Sequence, residues 1–139
     1  MGLLETGMKA ASGRLPKMIN PTAHAVIDYA IAGSFFIAAA ILWRRNRRAA
    51  VASVACGLAE VATAALTEYP GGFKPMISFA NHERLDGGIA SLVGAMPIAL
   101  NFADEPEAKL FRAQGIAIAA VTALTAFEGE AVSSLREIA

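Results

Sequence analysis

Apolar positions in this chain fall into four long runs, separated by short polar, charged or Gly/Pro breaks. Asn20-Pro21 opens the first: Asn offers a side-chain acceptor to the free N–H groups of a helix start, and Pro suits the first helical position. From Thr22 to Trp43 is 22 residues, against the ~20 that carry a helix across a bilayer. Trp43 sits where an interfacial aromatic belongs, and Arg44-Arg45-Asn46-Arg47-Arg48 follows at once. The second run extends from Ala49 to Tyr69 and stops at Pro70-Gly71-Gly72, a strong break. The third, from Asn81 or Leu85 to Phe102, holds 17 uncharged residues between Gly87 and Ala103, and Asp104-Glu105-Pro106-Glu107 closes it. The fourth runs from Ala108 to Phe127 and ends at Glu128-Gly129-Glu130. None of the runs shows the polar face at helical period that a water-soluble four-helix bundle needs. The second and fourth are rich in Ala, Gly and Thr, small residues that let membrane helices approach closely. The pattern therefore predicts an all-α protein of four transmembrane helices.

The runs are related in pairs. At an offset of 58 in the numbering, His24-x-x-x-Asp28 falls on His82-x-x-x-Asp86, Met18-Ile19 on Met76-Ile77, Gly57 on Gly115, Ala65-Leu66-Thr67 on Ala123-Leu124-Thr125, and Gly71 on Gly129. Between residues 18–71 and 76–129, 16 of 54 positions are identical without a gap. Shared alanine inflates that figure; paired His, Asp and Gly are harder to obtain by chance. The expectation is a tandem repeat of a two-helix unit: an N-terminal arm over 1–17, repeat 1 over 18–71, repeat 2 over 76–129 and a C-terminal tail over 130–139.

Composition sharpens this picture. Hydrophobic residues make up 55% of the chain and charged residues only 17%, outside the usual soluble range. Net charge is zero, so no polyanion is implied and nothing resembles a nucleic-acid footprint. The single cysteine, Cys56, lies in an apolar run and reads as a packing residue. Residues 1–15 lack the basic and apolar regions of a signal peptide. The four arginines of Arg44–Arg48 predict that this turn stays in the cytoplasm. Both termini would then face the periplasm, in a bacterial inner membrane.

Such a topology gathers polar residues. Helices 1 and 3 start on one membrane face and helices 2 and 4 end there, so His24, Asp28, His82, Asp86, Glu68 and Glu128 all belong near that face. Within each His-x-x-x-Asp the two side chains share a helix face, with the Asp one turn deeper, about 6 Å. A carboxylate at that depth is unfavourable unless paired or turned into the bundle. Several roles are open. The pairs could be polar contacts that start each helix cleanly and tie it to its repeat mate. His24, Asp28, His82 and Asp86 could hold a divalent metal. His24 and His82 could instead ligate a haem or a chlorophyll-type pigment, or line a quinone niche. The Glu-x-x-His spacing of soluble di-iron bundles is absent. Glu60 is separate: it falls near the middle of the second run, opposite Ile118 in the repeat, with no acid expected at similar depth. An intramembrane acid is a functional candidate by default. A polar tie to another helix is the expected role, a proton-coupled transport site the other.

Met18-Ile19-x-Pro21-x-x-His24-x-x-x-Asp28-Tyr29, Leu66-Thr67-Glu68-Tyr69-x-Gly71 and Pro75-Met76 followed by His82-x-x-x-Asp86 resemble the SPW-repeat family of small bacterial membrane proteins. The likeness covers Lys17 to Gly129. At the second Ser-Pro-Trp position this chain has Met96-Pro97-Ile98, and at the first Ala38-Ala39-Ala40. The resemblance implies four transmembrane helices in two tandem repeats, and no established activity. No nucleophile–base pair, phosphate loop, Cys pair or nucleotide fingerprint occurs in the chain. The sequence thus predicts no catalytic residues. It points to a non-catalytic accessory or structural subunit among other membrane subunits, or alternatively to a cofactor-binding redox protein built on the two histidines.

Overall fold

The computed structural model describes residues 15–127, together with Gly2, Leu3 and Thr6. Most of the 1–17 arm, the 130–139 tail and Glu128 lie outside the described residues. Among those described, the chain is all-helical: α1 (Pro21–Leu42), α2 (Arg47–Leu66), α3 (Phe79–Ala99) and α4 (Ala108–Leu124).

Local chemistry sets the starts. The Asn20 side chain accepts from Ala23 N at 2.9 Å and Pro21 occupies the first turn. Asn46 accepts from Ala49 N at 3.2 Å, and Ser78 from Asn81 N at 3.2 Å. These last two caps move two starts earlier than the runs of apolar residues suggest. Arg47 and Arg48 form the first turn of α2 rather than a loop, and α3 begins at Phe79, ahead of Asn81. Two positive side chains at the positive end of a helix dipole are unfavourable; acidic residues of the α3–α4 turn offset them, as described below.

The ends move as well, and in the same way. α2 and α4 stop at Leu66 and Leu124, three residues short of the expected Tyr69 and Phe127. Thr67 and Thr125 turn extended, with ψ of 141° and 136°. Thr67 pairs with Ile77 and Thr125 with Ile19, each as a short parallel bridge. Ile77 N donates to Leu66 O at 2.9 Å and Glu68 N to Ile77 O at 2.8 Å. In the other half, Ile19 N donates to Leu124 O and Ala126 N to Ile19 O, each at 3.0 Å. Every partner in one set lies 58 residues from its counterpart in the other.

α1 packs on α2 and α3 on α4 as two hairpins, with far less contact between the hairpins than within them. Close approach inside each depends on a glycine. A Cβ at Gly57 would stand 3.1 Å from the Phe36 ring, and one at Gly115 would stand 3.0 Å from the Ala90 carbonyl. Between the hairpins, Phe35, Val93, Phe102 and Phe111 are fully buried with Ala49, Ala50, Ala52 and Cys56.

α1 and α2 are long and apolar enough to cross a membrane. α3 carries Glu83, Arg84 and Asp86 in its first turns, and α4 has 17 residues, short of the ~20 of a full span. Large apolar side chains nevertheless face outward on all four helices: Ile37, Leu58, Ile98 and Ile116 are 65%, 54%, 75% and 70% exposed. The polar side chains His24, Asp28, Glu60, His82, Asp86 and Thr122 are buried.

Candidate functional site

His24 and Asp28 on α1 meet His82 and Asp86 on α3 inside one end of the bundle, all four essentially removed from solvent. The two Nε2 atoms are 3.1 Å apart. Asp28 places Oδ1 3.3 Å from His24 Nε2 and Oδ2 3.2 Å from His82 Nε2. Asp86 mirrors it, with Oδ2 3.1 Å from His24 Nε2 and Oδ1 3.1 Å from His82 Nε2. Each carboxylate thus straddles both imidazoles, so the intrahelical His–Asp pairs are also interhelical ones.

The outer nitrogens are fixed by threonine. Thr125 Oγ1 lies 2.7 Å from His24 Nδ1, and Thr67 Oγ1 lies 2.7 Å from His82 Nδ1. Both hydroxyls also approach a carbonyl of the preceding turn: Thr67 to Thr63 O at 2.6 Å, Thr125 to Val121 O at 2.7 Å. A carbonyl can only accept, so each hydroxyl spends its one proton there and must accept from the histidine. Both Nδ1 atoms therefore carry hydrogen, and each Nε2 of a neutral ring turns a lone pair into the centre. These are the threonines that leave the helix to form the bridges, so the helix ends and the histidine tautomers are set by the same turn.

Around this symmetric core the remaining carboxylate partners differ. Tyr69 Oη donates to Asp28 Oδ2 at 2.7 Å. Burial, and then the hydrogen bond to Asp28, hold this hydroxyl protonated well above the usual phenol range. The residue 58 positions on is Phe127, which cannot donate; Asp86 instead has Thr122, whose hydroxyl lies 3.1 Å from Oδ2 and 2.9 Å from Ile118 O. Asp86 Oδ1 is buried without a hydrogen bond. Aromatic rings close the end of the bundle. Phe79 and Phe127 pack with centroids 4.6 Å apart and stand 5.6 and 5.7 Å from the His24 ring, and Tyr69 is 5.3 Å from the His82 ring.

Glu60 belongs with this group rather than with the middle of α2. It is 3% exposed and its Oε1 has no hydrogen-bond partner. With α2 ending at Leu66 it lies six residues from the helix end, about 9 Å at 1.5 Å per residue. Asp28 and Asp86 lie seven residues into α1 and α3, about 10 Å by the same rise. The expectation of no acid at its depth is therefore wrong. Glu60 is close enough to interact electrostatically with Asp86, Asp28 and His82. Glu68, by contrast, is exposed and outside the tetrad, and Glu128 lies outside the described residues.

The arrangement narrows the chemistry. Nε2 atoms in contact at 3.1 Å, with carboxylates on either side, leave no slot for a porphyrin or chlorin ring between the histidines. Four potential ligand atoms, one per residue, do lie within 4.8 Å of one another. The hydroxyls around the centre, those of Thr67, Thr125, Tyr69 and Thr122, are each engaged in hydrogen bonds. Reading the sequence for histidine and acid overlooks Thr67, Thr125, Tyr69 and Thr122. A signal for the first two is present, because Thr67 and Thr125 are one of the few polar pairs kept at the offset of 58. Comparison with protein-family models, curated proteins and solved structures finds no match.

Proposed function

We propose that this chain is a small integral membrane protein of four spanning helices, built by tandem duplication of a two-helix unit, that serves as a non-catalytic structural or accessory subunit of a larger membrane assembly. The carrying observation is the inversion of polarity. Ile37, Leu58, Ile98 and Ile116 point outward, one on each helix, while His24, Asp28, Glu60, His82, Asp86 and Thr122 are turned inward. In water that arrangement leaves large apolar side chains uncovered on every helix; in lipid it is the expected one. The charged first turns of α3 then lie at headgroup depth, and the shorter α4 is accommodated by local thinning of the bilayer. The sequence likeness to the SPW-repeat family fits this architecture.

A subunit role is supported by α2, where Val51, Ala55, Leu58 and Ala62 form an exposed stripe along one side. Alternating small residues on an outward face suit close packing against a further helix. The arginine turn faces the cytoplasm of a bacterial inner membrane, and the tetrad lies toward the opposite face. Two steps test the proposal. Alkaline carbonate should leave the full chain in the membrane pellet, and its release would end the membrane reading. Mild-detergent purification from the native host should bring stoichiometric membrane subunits, and a bare monomer would end the subunit reading.

A further inference from the structure

We propose that His24, Asp28, His82 and Asp86 form a closed site for one divalent transition-metal ion of the zinc class, which staples the two hairpins together. The inference does not depend on whether the helices span a bilayer.

Geometry is the first argument. In a tetrahedral site with bonds of about 2.0–2.1 Å, neighbouring ligand atoms stand about 3.3–3.4 Å apart. Here the two Nε2 atoms are 3.1 Å apart, each carboxylate sets one of its oxygens 3.1–3.3 Å from each of them, and one ligand atom can be taken from every residue with all four within 4.8 Å of one another, a set that a small contraction closes around one ion. The donor types are also suitable: neutral imidazole nitrogen and carboxylate oxygen bind zinc and its neighbours in the first transition row.

Charge is the second. With both Nδ1 protons committed to Thr67 and Thr125, two nitrogen lone pairs and two carboxylates converge on one point, which is repulsive unless positive charge sits among them. Two extra protons would set two N–H groups against each other across 3.1 Å. One M²⁺ faces all four donors, and with two neutral imidazoles and two carboxylates the complex has no net charge, the only state that is inexpensive to bury. Asp86 Oδ1, buried without a hydrogen bond although aimed into the centre, is the atom such an ion would satisfy.

The surroundings are the third. Metal-bound histidines characteristically donate their other N–H to a fixed acceptor, and the carboxylates are hydrogen-bonded in turn. Thr67 and Thr125 do the first, Tyr69 the second. All four ligands come from the protein and aromatic rings seal the site, the arrangement of a structural rather than a catalytic ion. Two ligands come from each hairpin, where the hairpins otherwise touch little.

The test uses the full chain in mild detergent, stripped with a chelator and titrated with Co²⁺, then with Zn²⁺ in competition. One Co²⁺ per chain with the intense visible bands of four-coordinate cobalt, bleached by Zn²⁺, is the expected result. Asp28→Asn and Asp86→Asn should each abolish the bands. If either fails to fold by circular dichroism, Thr67→Val and Thr125→Val serve instead, and should weaken binding about 10–100-fold by freeing the imidazoles. A folded wild-type chain that gains no cobalt bands would overturn the proposal. So would binding that survives in folded Asp28→Asn or Asp86→Asn, or is unchanged in both threonine variants.

Discussion

The two hairpins are joined at both ends, by opposite means. At one end His24, Asp28, His82 and Asp86 meet in the interior under a cover of aromatic rings. At the other, the basic α1–α2 turn meets the acidic α3–α4 turn at the surface. Arg48 bonds Glu105 and the Asn101 carbonyl, and Asn46 bonds Glu105 and, at 3.3 Å, Glu107. Both ends bring nitrogen-bearing side chains of one hairpin against carboxylates of the other. At the surface end the Arg48 and Glu105 side chains are 49% and 35% exposed, so water solvates them whether or not they meet. At the tetrad end the side chains are at most 5% exposed, and no solvent replaces a lost partner. The same pairing is thus optional in one place and obligatory in the other.

The largest expected effect tests the obligatory end. His82→Ala takes one of four members out of the buried tetrad and leaves Thr67 Oγ1 without its donor, and breaking a buried charged set by removing one member costs about 3–5 kcal/mol. Unfolding of the purified variant in detergent measures it. A loss below that of the surface variants would mean that water reaches the tetrad, and the contrast between the ends would fail.

Tyr69→Phe sharpens the comparison inside the tetrad. It gives the first half the residue that the second half already has at 127. Asp28 then loses a hydrogen bond at 2.7 Å, and a bond to a charged acceptor is worth about 1.5–3 kcal/mol. Full stability in this variant would show that Asp28 does not depend on the Tyr69 hydroxyl.

Glu60 predicts a change of opposite sign. Its Oε1 is buried without a partner, so Glu60→Met should stabilise the bundle by about 1–3 kcal/mol, the cost of a buried unsatisfied group. Destabilisation would mean that Glu60 has a partner in the folded protein and joins the polar centre as a working member.

How far these features are legible in the sequence depends on the range of the interactions that set them. The four helices follow from the lengths of the apolar runs, because each run is local. The helix starts are displaced by Asn46 and Ser78, local caps hidden by the arginines of one turn and the apolar Phe79 of another. The ends cannot be read locally at all. Thr67 and Thr125 leave the helix because Ile77 and Ile19 receive them, and Ile19 stands ahead of α1 while Thr125 follows α4. The consequence reaches the site. Extending α2 to Tyr69 puts Glu60 in mid-helix, apart from the tetrad, and leaves Thr67 as one more helical threonine instead of the acceptor that sets a histidine tautomer. The offset of 58 is the better guide, since it pairs residues irrespective of their distance along the chain. It pairs the histidines and aspartates that meet, and it pairs the two threonines whose role a search for histidine and acid misses.

The smallest effect belongs to the surface end. Arg48→Met removes the bonds to Glu105 and Asn101, yet an exposed ion pair contributes about 0–1 kcal/mol. Two further terms limit the loss. Arg48 sits in the first turn of α2, where a positive charge opposes the helix dipole, so its removal gives something back. Asn46, 8% exposed, still caps α2 and still reaches Glu105 and Glu107 across the hairpins. The expected change is therefore within about 1 kcal/mol, fading further at high salt as surface charges are screened. A loss as large as that of Tyr69→Phe, or one indifferent to salt, would show that the arginine turn is desolvated in the folded protein. The two ends would then be alike, and the hairpins would be held by buried charge at both.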